Sequence, residues 1–154
     1  MYVKDIMFRD ITSVIEDTTI KYLIKILMRQ RRDFLPVVNQ NNEYKGMIGV
    51  EDVIHAALPN YYQMLNNIAF MPDSNKLVDG LQKVRDKQVK EFMLDTPTVS
   101  ITDTALHAAN IMIQKGLKSI AVIRGQKLVG VVNRVDFLSS LIEQGTDPSL
   151  AGNY

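Results

Sequence analysis

The sequence predicts an α/β fold made of two copies of one βαββα unit, packed with pseudo-twofold symmetry and with edges exchanged between the copies. Three observations carry that prediction. A short motif opens the chain and returns in its second half. Each copy continues into one apolar stripe at helical spacing, and each stripe is followed by two short β-branched runs separated by a polar turn.

The opening motif is Val3-Lys4-Asp5-Ile6-Met7, repeated as Val89-Lys90-Glu91-Phe92-Met93. Further along, at the same offset, Asp17-Thr18-Thr19-Ile20 aligns with Asp103-Thr104-Ala105-Leu106, and a one-residue indel is placed after that match. The helical stripes are Ile20, Leu23, Ile24 and Leu27 in copy one and Ala105, Ala108, Ala109 and Met112 in copy two. Both have the i, i+3, i+4, i+7 spacing that puts one face on a core. The alanines of the second stripe predict a closer approach to its neighbour.

Phe34-Leu35-Pro36-Val37-Val38 and Ile120-Ala121-Val122-Ile123 are too short for helices and read as middle strands. The turns Asn39-Gln40-Asn41-Asn42 and Arg124-Gly125-Gln126 lead into last strands at Gly46-Met47-Ile48-Gly49-Val50 and Gly130-Val131-Val132-Asn133. Asp52 and Asp136 then open second helices, the last of which ends at Gly145 and Asp147-Pro148. A lone core of about 55 residues is marginal, so the copies are expected to pack together.

This reading divides the chain into repeat one at 1–58, a helical linker at 59–88, repeat two at 89–145 and a tail at 146–154. The linker has no counterpart elsewhere. Tyr61, Tyr62, Leu65, Ile68 and Phe70 give it an apolar helical face, interrupted at Met71-Pro72-Asp73 and resumed at Leu77, Leu81 and Val84. It reads as a segment folded on the flank, with partner docking as the alternative.

Composition narrows the function. With 18 basic and 17 acidic residues the net charge is +1, so no bulk field draws the chain to nucleic acid or an acidic membrane. The absence of cysteine removes thiol catalysis and thiolate metal sites. No apolar run approaches the roughly 20 residues needed to cross a bilayer, and the start lacks a signal-peptide pattern, so a cytoplasmic location is expected. His55 and His107 sit in no metal-ligand spacing, and no nucleophile elbow, P-loop or dinucleotide fingerprint occurs. The eight methionines read as core filler.

The ordered, twice-repeated set of Val-Lys-Asp/Glu-x-Met, Asp-Thr before the helix, Leu35-Pro36-Val37-Val38 and the closing glycine-to-aspartate segment resembles the cystathionine-β-synthase (CBS) domain family. The resemblance covers both repeats. It implies a CBS pair that binds an adenine-containing ligand such as AMP, ADP or ATP in two clefts, with no cofactor required. It further implies that Asp136 and Asp52 hold ribose hydroxyls. The preceding family Ser/Thr position is Asn133 in copy two and Gly49 in copy one. In the same way, Thr12, Arg32, Asp33 and Phe34 would complete the Asp136 cleft, together with Lys118 and Arg134, while Thr98 would join the Asp52 cleft. The Asp136 cleft is expected to be the better site, because Asn133 brings an amide and Arg134 a charge where copy one has Gly49 and Val50.

Elementary chemistry supports such a site. A helix N-terminus offers backbone N–H groups and positive potential to phosphate, and a carboxylate there can accept from ribose hydroxyls. The plainer alternative is that Asp52 and Asp136 are helix N-caps, and that Arg29, Arg31, Arg32 and Lys118 only complement helix C-termini. The leading function is therefore a regulatory nucleotide sensor acting through an effector protein the sequence does not name. The alternatives are a constitutive interaction scaffold with degenerate clefts and, least favoured, an enzyme using Asp136 as general base. A homodimer is expected, because the second helices are apolar on more than one face.

Overall fold

The structure, a computed structural model, describes residues 1–58 and 74–144. The terminator at Gly145 and Asp147-Pro148, the tail, and the linker stretch from Tyr61 to Asp73 lie outside the described residues. In chain order the elements are α1 (Val3–Ile6), β1 (Val14–Ile15), α2 (Ile20–Gln30), β2 (Phe34–Val38), β3 (Tyr44–Gly49), α3 (Val50–Ala57), α4 (Ser74–Val84), a 3-10 turn (Val89–Glu91), β4 (Thr98–Ser100), α5 (Ala105–Lys115), β5 (Ser119–Arg124), β6 (Lys127–Asn133) and α6 (Arg134–Gln144). They build two three-stranded mixed sheets with helices, ordered β1-β2-β3 and β4-β5-β6. In each, the first strand runs parallel to the middle one, Val14 beside Val37 and Thr98 beside Ala121.

The predicted stripes form the cores. Ile20, Leu23 and Leu27 of α2 are buried with Leu35, Val37 and Ile48 of the first sheet. Ala105, Ala108 and Met112 of α5 are buried with Ile120, Val122 and Val132 of the second. Both helices start on a threonine cap, Thr19 Oγ1 accepting from the Tyr22 N–H at 3.3 Å and Thr104 Oγ1 from the His107 N–H at 3.2 Å. Thr19 and Thr104 are therefore equivalent, which moves the one-residue indel to before the caps, not after the Asp-Thr match. Both helices end on a left-handed residue, Arg31 and Gly116.

The chain divides into two compact units that do not follow its halves. One contains residues 12–40 and 45–95, the other residues 1–11, 41–44 and those from 96 onward. The opening motifs account for much of this. Val3 and Lys4 donate backbone N–H groups to Asp103 O and Ile101 O, while Ala105 donates to Met1 O at 3.0 Å. The second motif does the same in the other unit, where Val89 and Lys90 donate to Thr18 O and Glu16 O and Ile20 donates to Lys87 O. Phe8 and Val131 exchange N–H to O bonds of 2.8 and 3.0 Å, as Met47 and Leu94 do at 2.8 Å. Each repeat's opening segment thus completes the other repeat's core, with Val3 and Val89 fully buried.

This exchange explains two glycines. A Cβ on Gly46 would lie 2.5 Å from Leu94 O, and one on Gly130 would lie 2.8 Å from Met7 Sδ and 3.1 Å from Phe8 O. They are needed for the close approach of the exchanged segments, not for a turn. In the linker, α4 continues the apolar pattern as expected, with Val84 buried, and Gly80 lies against the Ala57 carbonyl.

Candidate functional site

Each last strand runs directly into its second helix, so the residues at that junction are fixed by both elements. In the first unit Gly49 is the N-cap of α3, and Asp52 sits at the third helical position with its Oδ2 accepting from the Gly49 N–H at 2.8 Å. In the second unit Asp136 accepts from the Asn133 N–H at 3.0 Å. The plainer alternative from sequence has both aspartates as N-caps. The helices begin earlier than that, at Val50 and Arg134, and each aspartate instead reaches back one turn to the capping residue's N–H. Asp5 and Glu91 make the same reach-back bond to the Tyr2 and Gln88 N–H groups, so it is a structural device of the whole chain. Asp52 and Asp136 differ in being half-buried at a strand end, whereas Asp5 and Glu91 are exposed.

The two carboxylates are held differently. Burial lifts the Asp52 carboxyl above the usual carboxylate range; the Gly49 N–H pulls it back, Glu51 adds to the rise and His55 opposes it. Asp136 takes a second bond on the same oxygen, Oδ2, from Asn133 Nδ2 at 2.9 Å. The Asn133 amide, expected to face a ligand, thus directs one of its two N–H groups onto Asp136. Arg134, expected near a ligand phosphate, also has partners within the protein. Its Nε donates to Leu117 O at 2.7 Å and its guanidinium also reaches Met112 O at 3.4 Å, a carbonyl at the end of α5 that already accepts from the Leu117 N–H at 2.8 Å. The helix starts are also less open than expected, since Val50 N–H bonds Asp33 O at 2.8 Å and Arg134 N–H bonds Lys118 O at 3.3 Å.

Among the other predicted residues, Thr12, Arg32, Asp33 and Phe34 belong to the first unit with Asp52. Thr98, Lys118, Asn133 and Arg134 belong to the second with Asp136. Asp33 and Phe34 pack directly under Gly49, whose Cβ would stand 2.5 Å from Asp33 O and 2.8 Å from Phe34 Cβ, which is why that position is glycine. Arg32 and Lys118 are exposed next to their middle strands, and Thr12 and Thr98 are half-buried. A separate cavity of about 480 Å³ lies between α3 and α4, lined by Ala57, Gly80, Val84 and Lys83 among others, and contains no predicted site residue. Among the described residues no cluster of three or more His, Cys, Asp or Glu is arranged to hold a metal, and no helix is long and apolar enough to cross a membrane.

Two α/β repeats, each closing on a strand-to-helix junction with a carboxylate, define a class that sequence comparison identifies. The CBS-domain profile matches residues 3–59 and 89–143, and the chain belongs to the CBS-domain family as a CBS pair. It is 27% identical over 143 residues to a CBS domain-containing protein of Dictyostelium discoideum, covering 92% of this chain and 91% of that one. It is 26% identical to an uncharacterized protein of Methanocaldococcus jannaschii, of whose length it spans 47% while 96% of this chain is covered. The fold matches the CBS-pair protein CBSX2 of Arabidopsis thaliana with a TM-score of 0.75 at 18% identity, covering 93% and 95% of the two chains. It also matches a structure of CBSX2 in complex with AMP, at a TM-score of 0.70 and 20% identity over 93% and 97%. Only CBS domains are matched in this chain.

Proposed function

We propose that this CBS pair is a regulatory module that binds an adenine nucleotide, AMP, ADP or ATP, through the Asp136 and Asp52 carboxylates, and passes the change to an effector protein. The observation that carries the reading is the repeated junction itself. In both copies one carboxylate oxygen is held by the protein, while Oδ1 has no partner among the described residues and remains available to a sugar hydroxyl. That a protein of the same fold has been crystallised with AMP supports the choice of ligand class. Arg32, Asp33, Phe34 and Thr12, with Lys118 and Thr98, are proposed to supply the remaining ligand contacts.

Calorimetry with AMP, ADP and ATP on the wild type, Asp136→Ala and Asp52→Ala tests the proposal. Each carboxylate lost should weaken its site by roughly 10- to 100-fold, the size expected for a hydrogen bond to a charged group. Wild-type protein that binds none of the three sinks the nucleotide reading. A second reading, a constitutive protein-interaction scaffold, is favoured by the internal commitment of Arg134 and of the Asn133 amide. It predicts no calorimetric signal and partner binding that is insensitive to nucleotide.

A further inference from the structure

Asp52 and Asp136 differ in how many of their acceptor positions the protein fills. A carboxylate offers about four, two on each oxygen. Asp52 gives up one, to the Gly49 N–H at 2.8 Å. Asp136 gives up two, both on Oδ2, to the N–H and the Nδ2 of Asn133 at 3.0 and 2.9 Å. The orientation of the Asn133 amide follows from its neighbour, since its carbonyl oxygen in that place would face the carboxylate. Oδ2 of Asp136 is therefore saturated, and only Oδ1 can accept from a ligand. Two vicinal hydroxyls bind a carboxylate best one to each oxygen. Asp52 retains an acceptor position on both oxygens, and Asp136 does not.

We propose that Asn133 sets the sugar specificity at Asp136, so that this site engages a single ribose hydroxyl and takes a 2′-deoxyribonucleotide almost as well as a ribonucleotide. The inference rests on the nucleotide reading above and narrows it to a ligand class for one site. Copy one cannot imitate the arrangement, because any side chain at position 49 collides with the Asp33 carbonyl and Phe34. Arg134 cannot compensate for the lost acceptor, since a guanidinium only donates, as it does here to Leu117 O and Met112 O.

The test compares AMP with 2′-deoxy-AMP by calorimetry on the full chain carrying Asp52→Ala, with and without Asn133→Gly. Glycine recreates the arrangement found at Gly49, and at an N-cap it is only a few tenths of a kcal/mol poorer than asparagine, so the fold is kept; a melting curve checks this. With Asn133 present, the two ligands should bind within about 3-fold of each other; with Asn133→Gly, the preference for AMP should rise to about 10-fold or more. A preference of about 10-fold already present with Asn133, or one unchanged by Asn133→Gly, overturns the specificity proposal alone. No AMP binding by the wild type overturns the nucleotide reading and this proposal with it, and AMP binding that is lost completely in Asp52→Ala shows that Asp136 is no nucleotide site.

Discussion

Gly46 and Gly130 occupy equivalent positions but face different obstacles, and this makes them separable by mutation. An added methyl at Gly46 meets the Leu94 carbonyl, part of a backbone pairing that cannot move without breaking two 2.8 Å hydrogen bonds. At Gly130 the nearest atom is the thioether sulfur of Met7, the end of an adaptable side chain, with the Phe8 carbonyl 3.1 Å away. Gly46→Ala should therefore destabilise by about 1–3 kcal/mol, the usual range for overpacking, and Gly130→Ala by the lower end of that range or less. Denaturant titration of both variants measures the difference, and equal losses would contradict the assignment of rigid and adaptable neighbours. The two substitutions look interchangeable from sequence, because the glycines match in the repeat and only the exchanged segments distinguish them.

At the level of elements, the start of α3 should make stability depend on pH through Asp52. Its carboxyl is raised in the folded protein by burial, so the folded state holds the proton more tightly than the unfolded chain does. Stability from this group is then fully present below the unfolded pKa and is lost as pH rises through the raised folded value. Asp52→Asn keeps an oxygen to accept from the Gly49 N–H but never ionises, so its melting temperature should exceed that of the wild type at about pH 7 and converge with it at about pH 3. A variant that gains equally at both pH values would rule out ionisation as the cause. The helices, hairpins and closing aspartates were legible because their periodicity and turn residues are local signals, as the buried stripes of α2 and α5 show. Three things were not. The cap register is obscured because Asp17-Thr18 and Asp103-Thr104 match residue for residue while the caps are Thr19 and Thr104. The helical turns at Val3–Ile6 and Val89–Glu91 are marked only by an acid three residues past the cap. The partners of Arg134 and of the Asn133 amide depend on tertiary contacts or on the exact helix start, which periodicity does not encode.

For the whole molecule, α6 carries Val135, Leu138 and Leu141 at 65%, 58% and 46% exposure, a large apolar face for one helix to leave in water. A homodimer closed through this helix is the proposed remedy. Light scattering at micromolar concentration should report twice the mass of one chain, and Leu138→Asp should halve it; a wild type that runs as a single chain defeats the proposal. The exchange of opening segments also sets an order for synthesis. The β1–β3 unit has all its described strands and its exchanged segment once Leu94 has been made, so it can fold while the remainder is still being translated. The opening segment fares differently. Val3, Ile6 and Met7 leave the ribosome before any part of the core that covers them exists, and their docking sites at Ile101, Asp103, Ala105 and Val131 emerge much later. The 3–7 segment thus waits as an uncovered apolar tether while the whole β1–β3 unit is synthesised, and the second unit closes only when that segment meets strands made much later.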